Sequence, residues 1–191
     1  MGTGHRRLRK VKLWAILLLV GVAASAAAQA PDRFGDGTAR YNTGYDDAAP
    51  WQEQQDVELP AFPKEENLRE FYVSAVATNK YLVDASTLSV GADGVVRYAL
   101  VVKTAGGATN VSFEGINCRE RNWKHYATGR SDGTWVKSRA ARVEWRPIEN
   151  KPVNRHHAAL SRDLFCPTGT AIADADEGRN ALRLGKHPNS N

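Results

Sequence analysis

Acidic residues are missing from positions 1–30, which carry Arg6, Arg7, Arg9, Lys10 and Lys12. Without those bases the remainder holds 21 basic and 21 acidic residues, so the formal charge of +5 belongs to the N-terminus. A balanced body lacks the basic field that nucleic acid or an anionic membrane would select. Long apolar runs are also missing. The one strongly apolar stretch, Leu13–Val22, is half the ~20 residues a spanning helix needs. Cysteine is scarce, with only Cys118 and Cys166, and there is no C-x-x-C pair for thioredoxin-like redox chemistry. The strings G-x-S-x-G, a phosphate loop ending in Lys-Ser/Thr, a haem-attachment run and H-x-x-x-H are absent as well, so no cofactor or metal is implied. What remains is ordinary: 191 residues, 42% hydrophobic and 25% charged, which suits one globular domain with tails.

The N-terminus reads as an export signal. Positive charge, a short apolar core and an alanine-rich run are the secretory pattern. Cleavage is expected after Ala28, because the alternative cut after Ala30 would leave Pro31 next to the peptidase. Residues 1–28 are therefore a signal peptide and the mature chain is periplasmic, with no stable membrane span. Residues 29–50 are rich in Gly, Asp, Ala, Asn and Thr and read as a disordered leader. An oxidising compartment favours pairing of Cys118 with Cys166 over two separate thiols or a redox site. That bridge closes a loop of about 48 residues and stabilises by roughly 4 kcal/mol on the loop-entropy model.

Residues 51–169 read as one α+β domain, mainly antiparallel sheet with one packed C-terminal helix and a single disulfide. Pro60 and Pro63 favour an extended segment lying on the domain. Short strands are expected at Phe71–Val76, Tyr81–Val83 and Ser86–Val90. The turn Ala92-Asp93-Gly94 leads into Val95–Lys103, the strongest strand pattern in the chain. Asn110–Cys118 pairs with it as the central hairpin. Lys124–Thr128 and Trp135–Arg139 form a second hairpin, and Val143–Ile148 adds a strand. Pro152 to Phe165 has helical spacing and ends before Pro167. Residues 170–191 read as a polar tail, with a short helix near Asp176–Leu184.

Several strings occur in a set order: Leu59-Pro60-Ala61-Phe62-Pro63, Leu88-Ser89-Val90-Gly91, Val95-Val96-Arg97-Tyr98, Asn110 to Ile116, Tyr126 to Arg130, and Phe165-Cys166-Pro167. The series resembles the family of exported proteobacterial proteins named after the cryptic neisserial protein. That family has no established activity. The resemblance spans roughly Trp51 to the start of the tail. It implies an envelope protein and supplies no catalytic residue.

The charge is most uneven between Arg119 and Arg146, with eight bases against three acids and Trp123, Tyr126, Trp135 and Trp145 interleaved. Guanidinium forks bind phosphate and carboxylate, and aromatic faces stack on rings. Arg119, Arg121, Trp123, Lys124, Arg130 and Trp135 are thus the candidates for binding an anionic envelope polymer or an acidic envelope protein. The bland alternative puts the aromatics in the core and the bases on a solvated face. It is supported by residues 32–70, whose ten acids against four bases can complement the basic stretch within the chain. Glu114 sits mid-strand, where it can pair with Arg97 or Arg121. In an enzymatic alternative it forms a hydrolase-like acid–base couple with His125. His156 and His157 invite a metal reading, but adjacent helical residues diverge by about 100°. Asp174, Asp176 and Gly178 imitate the start of a calcium loop without its closing Glu. The sequence thus points to a non-enzymatic binding or structural module of the envelope.

Overall fold

A computed structural model describes residues 50–139, 144–152 and 154–190. The expected signal peptide and nearly all of the leader lie outside them. The sheet is an antiparallel meander in the order β1 (Leu68–Glu70), β2 (Lys80–Val90), β3 (Val95–Lys103), β4 (Thr109–Asn117), β5 (Asn122–Gly129) and β6 (Trp135–Lys137). β7 (Arg146–Pro147) pairs with the start of β5, matching Trp123 to Arg146. The hairpin β3–β4 is in unbroken register from Val95↔Asn117 to Lys103↔Thr109, as the alternation of its residues predicts.

Two expected short strands, Tyr81–Val83 and Ser86–Val90, are one long β2 with an irregularity between Asp84 and Ser89. The polar residues there explain the misreading. Asp84 is buried and accepts from Ser86 N (2.8 Å) and Lys64 N (3.1 Å). Thr87 Oγ1 accepts from Ala99 N at 2.9 Å, replacing a ladder partner where the strand bulges. The expected strand Phe71–Val76 is not formed. Phe71 N still reaches Tyr81 O (3.0 Å), but the chain then turns, with Ala77 N bonded to Ser74 O. Phe71 and Val73 are buried while Tyr72 and Val76 are exposed, an alternation that imitates a strand.

Two helical segments cover one face. The first, α1 (Arg155–Ala159), runs directly into a wider π-helical stretch, Leu160–Phe165. The second, α2 (Ala175–Leu184), is the short helix expected near Asp176–Leu184, and it packs on the domain although it lies in the region read as a polar tail. Asp174 caps it by accepting from Glu177 N (2.9 Å), and Gly185 ends it in the left-handed conformation, φ 78°. Gly178 lets α2 lie directly on β2. A Cβ there would collide with Leu88 Cδ2 and lie 2.6 Å from Ile172 Cδ1. Between helices and sheet lies the core, including Val96, Tyr98, Leu100, Ile116, Leu160, Leu164 and Phe165. Cys118, just past β4, and Cys166, just past the π stretch, are bonded, with Cα atoms 5.5 Å apart. The disulfide therefore clips the helical layer to the sheet. The other face carries residues 51–63 as an extended strap.

Candidate functional site

The helix face buries a polar cluster inside the apolar core. Glu114 projects from β4 and His157 from α1, and Glu114 Oε2 lies 2.8 Å from His157 Nε2. Ser112 Oγ donates to Glu114 Oε1 at 2.7 Å, and Tyr98 Oη donates to Oε2 at 3.4 Å. The His157 ring is stacked on Trp123 at 3.7 Å and faces His156 at 4.0 Å on its other side. His156 in turn stacks on Tyr81 at 5.1 Å. Burial alone would raise the Glu114 carboxyl. The hydrogen bond and charge of His157, with help from His156 and Ser112, outweigh it and hold Glu114 below the usual carboxylate range. Burial, and then the neighbouring His157, pulls His156 down to about 4. Burial, and then Glu114, drives the Tyr98 hydroxyl well above its ordinary value.

The strap face is held by charge and aromatic edges. Glu53 accepts from Lys124 Nζ (2.6 Å), Tyr126 Oη (3.0 Å) and Trp145 Nε1 (3.1 Å). Arg97 binds Asp93 in two-point fashion at 3.0 and 2.6 Å, and Asp93 also accepts from Gln54 N of the strap (2.9 Å). Burial works against both charges, yet their mutual bond holds Asp93 below and Arg97 above its ordinary value. Trp135 packs on Phe62 and donates to Pro60 O at 2.9 Å. The acidic strap and the basic strands thus complement each other within the monomer at Glu53.

Two adjoining clefts open at the edge of the helix face. One, of about 350 Å³, runs over the disulfide and is lined by Arg121, Arg162, Asn150, Ser161 and Pro167, among others. The next, of about 280 Å³, shares Asn150, Ala158 and Arg162 and adds Arg155, Ser74 and Tyr72, which is 69% exposed. Among the described residues, no Asp or Glu lines either cleft. By contrast, Glu53 lines one strap-face cleft, and Asp56 and Glu58 line another. Arg162 spends Nε and Nη2 on the neighbouring Asp163. Arg155 Nε is buried without a partner. Arg121 has φ 53°, the single non-glycine in the left-handed region among the described residues. A side chain there costs about 1 kcal/mol, which a glycine would avoid.

The residues expected to form one binding surface are dispersed. Arg121 lines the disulfide cleft. Arg119 and Arg130 are exposed in turns at opposite ends of β5. Trp123 is buried under His157 and Arg146, whereas Lys124 and Trp135 belong to the strap face. Arg142 lies outside the described residues. Glu114 and His125 stand opposite each other in the strand register, but His125 bonds Ser138 Oγ (2.7 Å) and Thr128 Oγ1 (3.2 Å) instead. Neither lines any of the four clefts. Of the expected partners of Glu114, Arg97 is bonded to Asp93 and Arg121 lines the disulfide cleft. Sequence reasoning missed Arg155 and Arg162, which sit on the helical layer far along the chain. It also missed the Glu114–His157 pair, whose members are 43 residues apart.

No curated protein and no solved structure matches the chain. A family model does match, over residues 46–183, which include the strap, the whole sheet, both helical segments and both cysteines. On that match, and in agreement with the ordered strings of its sequence, the chain belongs to the CNP1-like family.

Proposed function

We propose that the chain is exported to the periplasm and acts there as a non-enzymatic module that binds phosphate or carboxylate groups of an anionic envelope polymer. The observation that carries the reading is the pair of adjoining clefts, with three arginines and no carboxylate in their lining. Planar guanidinium forks suit both oxyanions. Arg121 adds to this, since a charged side chain occupies a backbone position that glycine would fill at less cost. The apolar floor of Ile148, Pro167 and the disulfide gives a ligand's uncharged part somewhere to rest. The export reading rests on the basic, apolar and alanine-rich N-terminus and on the bonded cysteines.

Calorimetric titration of the oxidised chain with polyphosphate, and separately with polygalacturonate, tests the binding. Saturable binding to at least one polyanion is expected, weakening as salt is raised. Paired replacement of Arg121→Gln and Arg155→Gln is expected to reduce affinity by about tenfold or more, the scale of one charge-assisted hydrogen bond. Absence of saturable binding to both polymers, or undiminished binding by the double variant, overturns the reading. Cell fractionation tests the export step: the processed, thiol-free chain belongs in periplasmic extracts, and recovery of full-length chain in the cytosol contradicts it.

A further inference from the structure

The Glu114 cluster is independent of the arginine clefts and has its own chemistry. Glu114, His156 and His157 each offer one ligand atom, and these atoms lie within 4.8 Å of one another. We infer that these three side chains form a binding site for one transition-metal dication of the zinc class.

Two imidazoles and one carboxylate are the donor set that zinc, cobalt and nickel take in proteins, with bond lengths near 2.0–2.2 Å for zinc. Ligand atoms around such an ion stand roughly 3–4 Å apart, so a small closing movement converts the observed spacing into coordination. The sequence argues against adjacent histidines acting together, because helical neighbours diverge. The structure overcomes that divergence by packing. Trp123 and Tyr81 stack on the outer faces of the two imidazoles and press the rings to 4.0 Å from each other. Immediately after α1 the backbone passes into the wider π form, an irregularity frequent at functional sites.

The surroundings suit an ion. Nδ1 of His156 is buried and lacks any hydrogen-bond partner, and His157 ligates through Nε2, the atom now bonded to Glu114. A buried imidazole nitrogen without a partner is an unusual loss. Ser112 Oγ holds Glu114 Oε1 at 2.7 Å, the kind of outer partner that orients a ligating carboxylate. His157 is 1% exposed, whereas His156 is only partly buried and gives an ion its way in. Coordination replaces the direct Glu114–His157 hydrogen bond, and the proton on that imidazole nitrogen leaves to solvent as the ion enters.

The test adds Co(II) or Zn(II) chloride to the oxidised chain after chelator treatment. One equivalent of Co(II) should bind and give the intense visible absorption of a low-symmetry site, displaced by Zn(II). His156→Gln is the decisive variant, because His156 makes no hydrogen bond through its side chain and its replacement leaves the Glu114–His157 pair in place. It should weaken binding by more than about 100-fold, beyond the loss expected for an outer partner. Glu114→Gln, checked for folding by circular dichroism, should do the same. Absence of one-to-one binding by the native chain, or equal binding by His156→Gln, overturns the inference.

Discussion

The two faces of the sheet bury charge in opposite ways. On the helix face a single carboxylate, Glu114, is enclosed by aromatic rings and aliphatic side chains, and it is met by a histidine from a different layer. On the strap face charge is plentiful: Arg97 is met by Asp93 four residues away, and Lys124 and Tyr126 by Glu53, 71 and 73 residues away on the strap. The helix face is also locked covalently by Cys118–Cys166. The strap is joined to the sheet through hydrogen bonds, ion pairs and ring contacts. Arg97 and Asp93 are as shielded as Glu114, whereas Lys124 and Glu53 keep 15% and 16% of their side-chain surface in water, so loss of Glu114 is costlier than loss of Glu53.

That contrast can be broken by substitution. Removing the disulfide by Cys118→Ala with Cys166→Ala should lower unfolding free energy the most, by about 4 kcal/mol in denaturant titrations. Glu114→Ala comes next, at about 3 kcal/mol, because it leaves His157, Ser112 and Tyr98 facing a cavity. Gly178→Ala should cost about 1–3 kcal/mol by forcing α2 away from Leu88 and Ile172. Glu53→Gln on the strap face should cost about 1–2 kcal/mol, because the amide oxygen can still accept from Tyr126 or Trp145 while the charge opposite Lys124 is lost. Equal losses for Glu114→Ala and Glu53→Gln would erase the distinction between the faces.

Acid sharpens the same comparison. His156 is held at about 4 in the folded chain against 6.5 for the free side chain, so unfolding takes up a proton between those values. Stability then falls as pH drops from 6.5 toward 4, by about 3 kcal/mol from this group. Glu114, held below its ordinary range, adds its own loss at still lower pH as it protonates. Chelator-treated His156→Gln should show a flatter decline across pH 4–6.5 than the native chain. An unchanged slope would mean that the imidazole is not held neutral by its burial.

The central hairpin and the disulfide were legible in the sequence because both rest on strong local signals. Val95–Lys103 is dense in β-branched and aromatic residues and is buried on both faces, and two cysteines admit a single intrachain bridge. Phe71–Val73 alternates in burial and yet leads into a turn, since alternation reports burial and not ladder bonding. The helix near Asp176–Leu184 was legible, but its packing on the sheet was not, because its composition is polar and it buries only a narrow stripe of Gly178, Ala181 and Leu182. Glu114 stood out as an acid in a strand, but nothing in the chain order points across 43 residues to His157. The basic stretch Arg119–Arg146 was visible as charge. Its division between a strap face and an arginine cleft depends on strand facing and on a bulge at Phe113/Glu114, which a one-residue shift would reverse.

The most direct test of an anion-binding helix-face edge is a crystal structure grown with tungstate, whose anomalous signal locates a phosphate-sized anion. The account predicts tungstate between Arg121, Arg155 and Arg162, beside the disulfide. Tungstate seated instead at Lys124 or Arg97 on the strap face, or no ordered anion with all three arginines accessible, would contradict it.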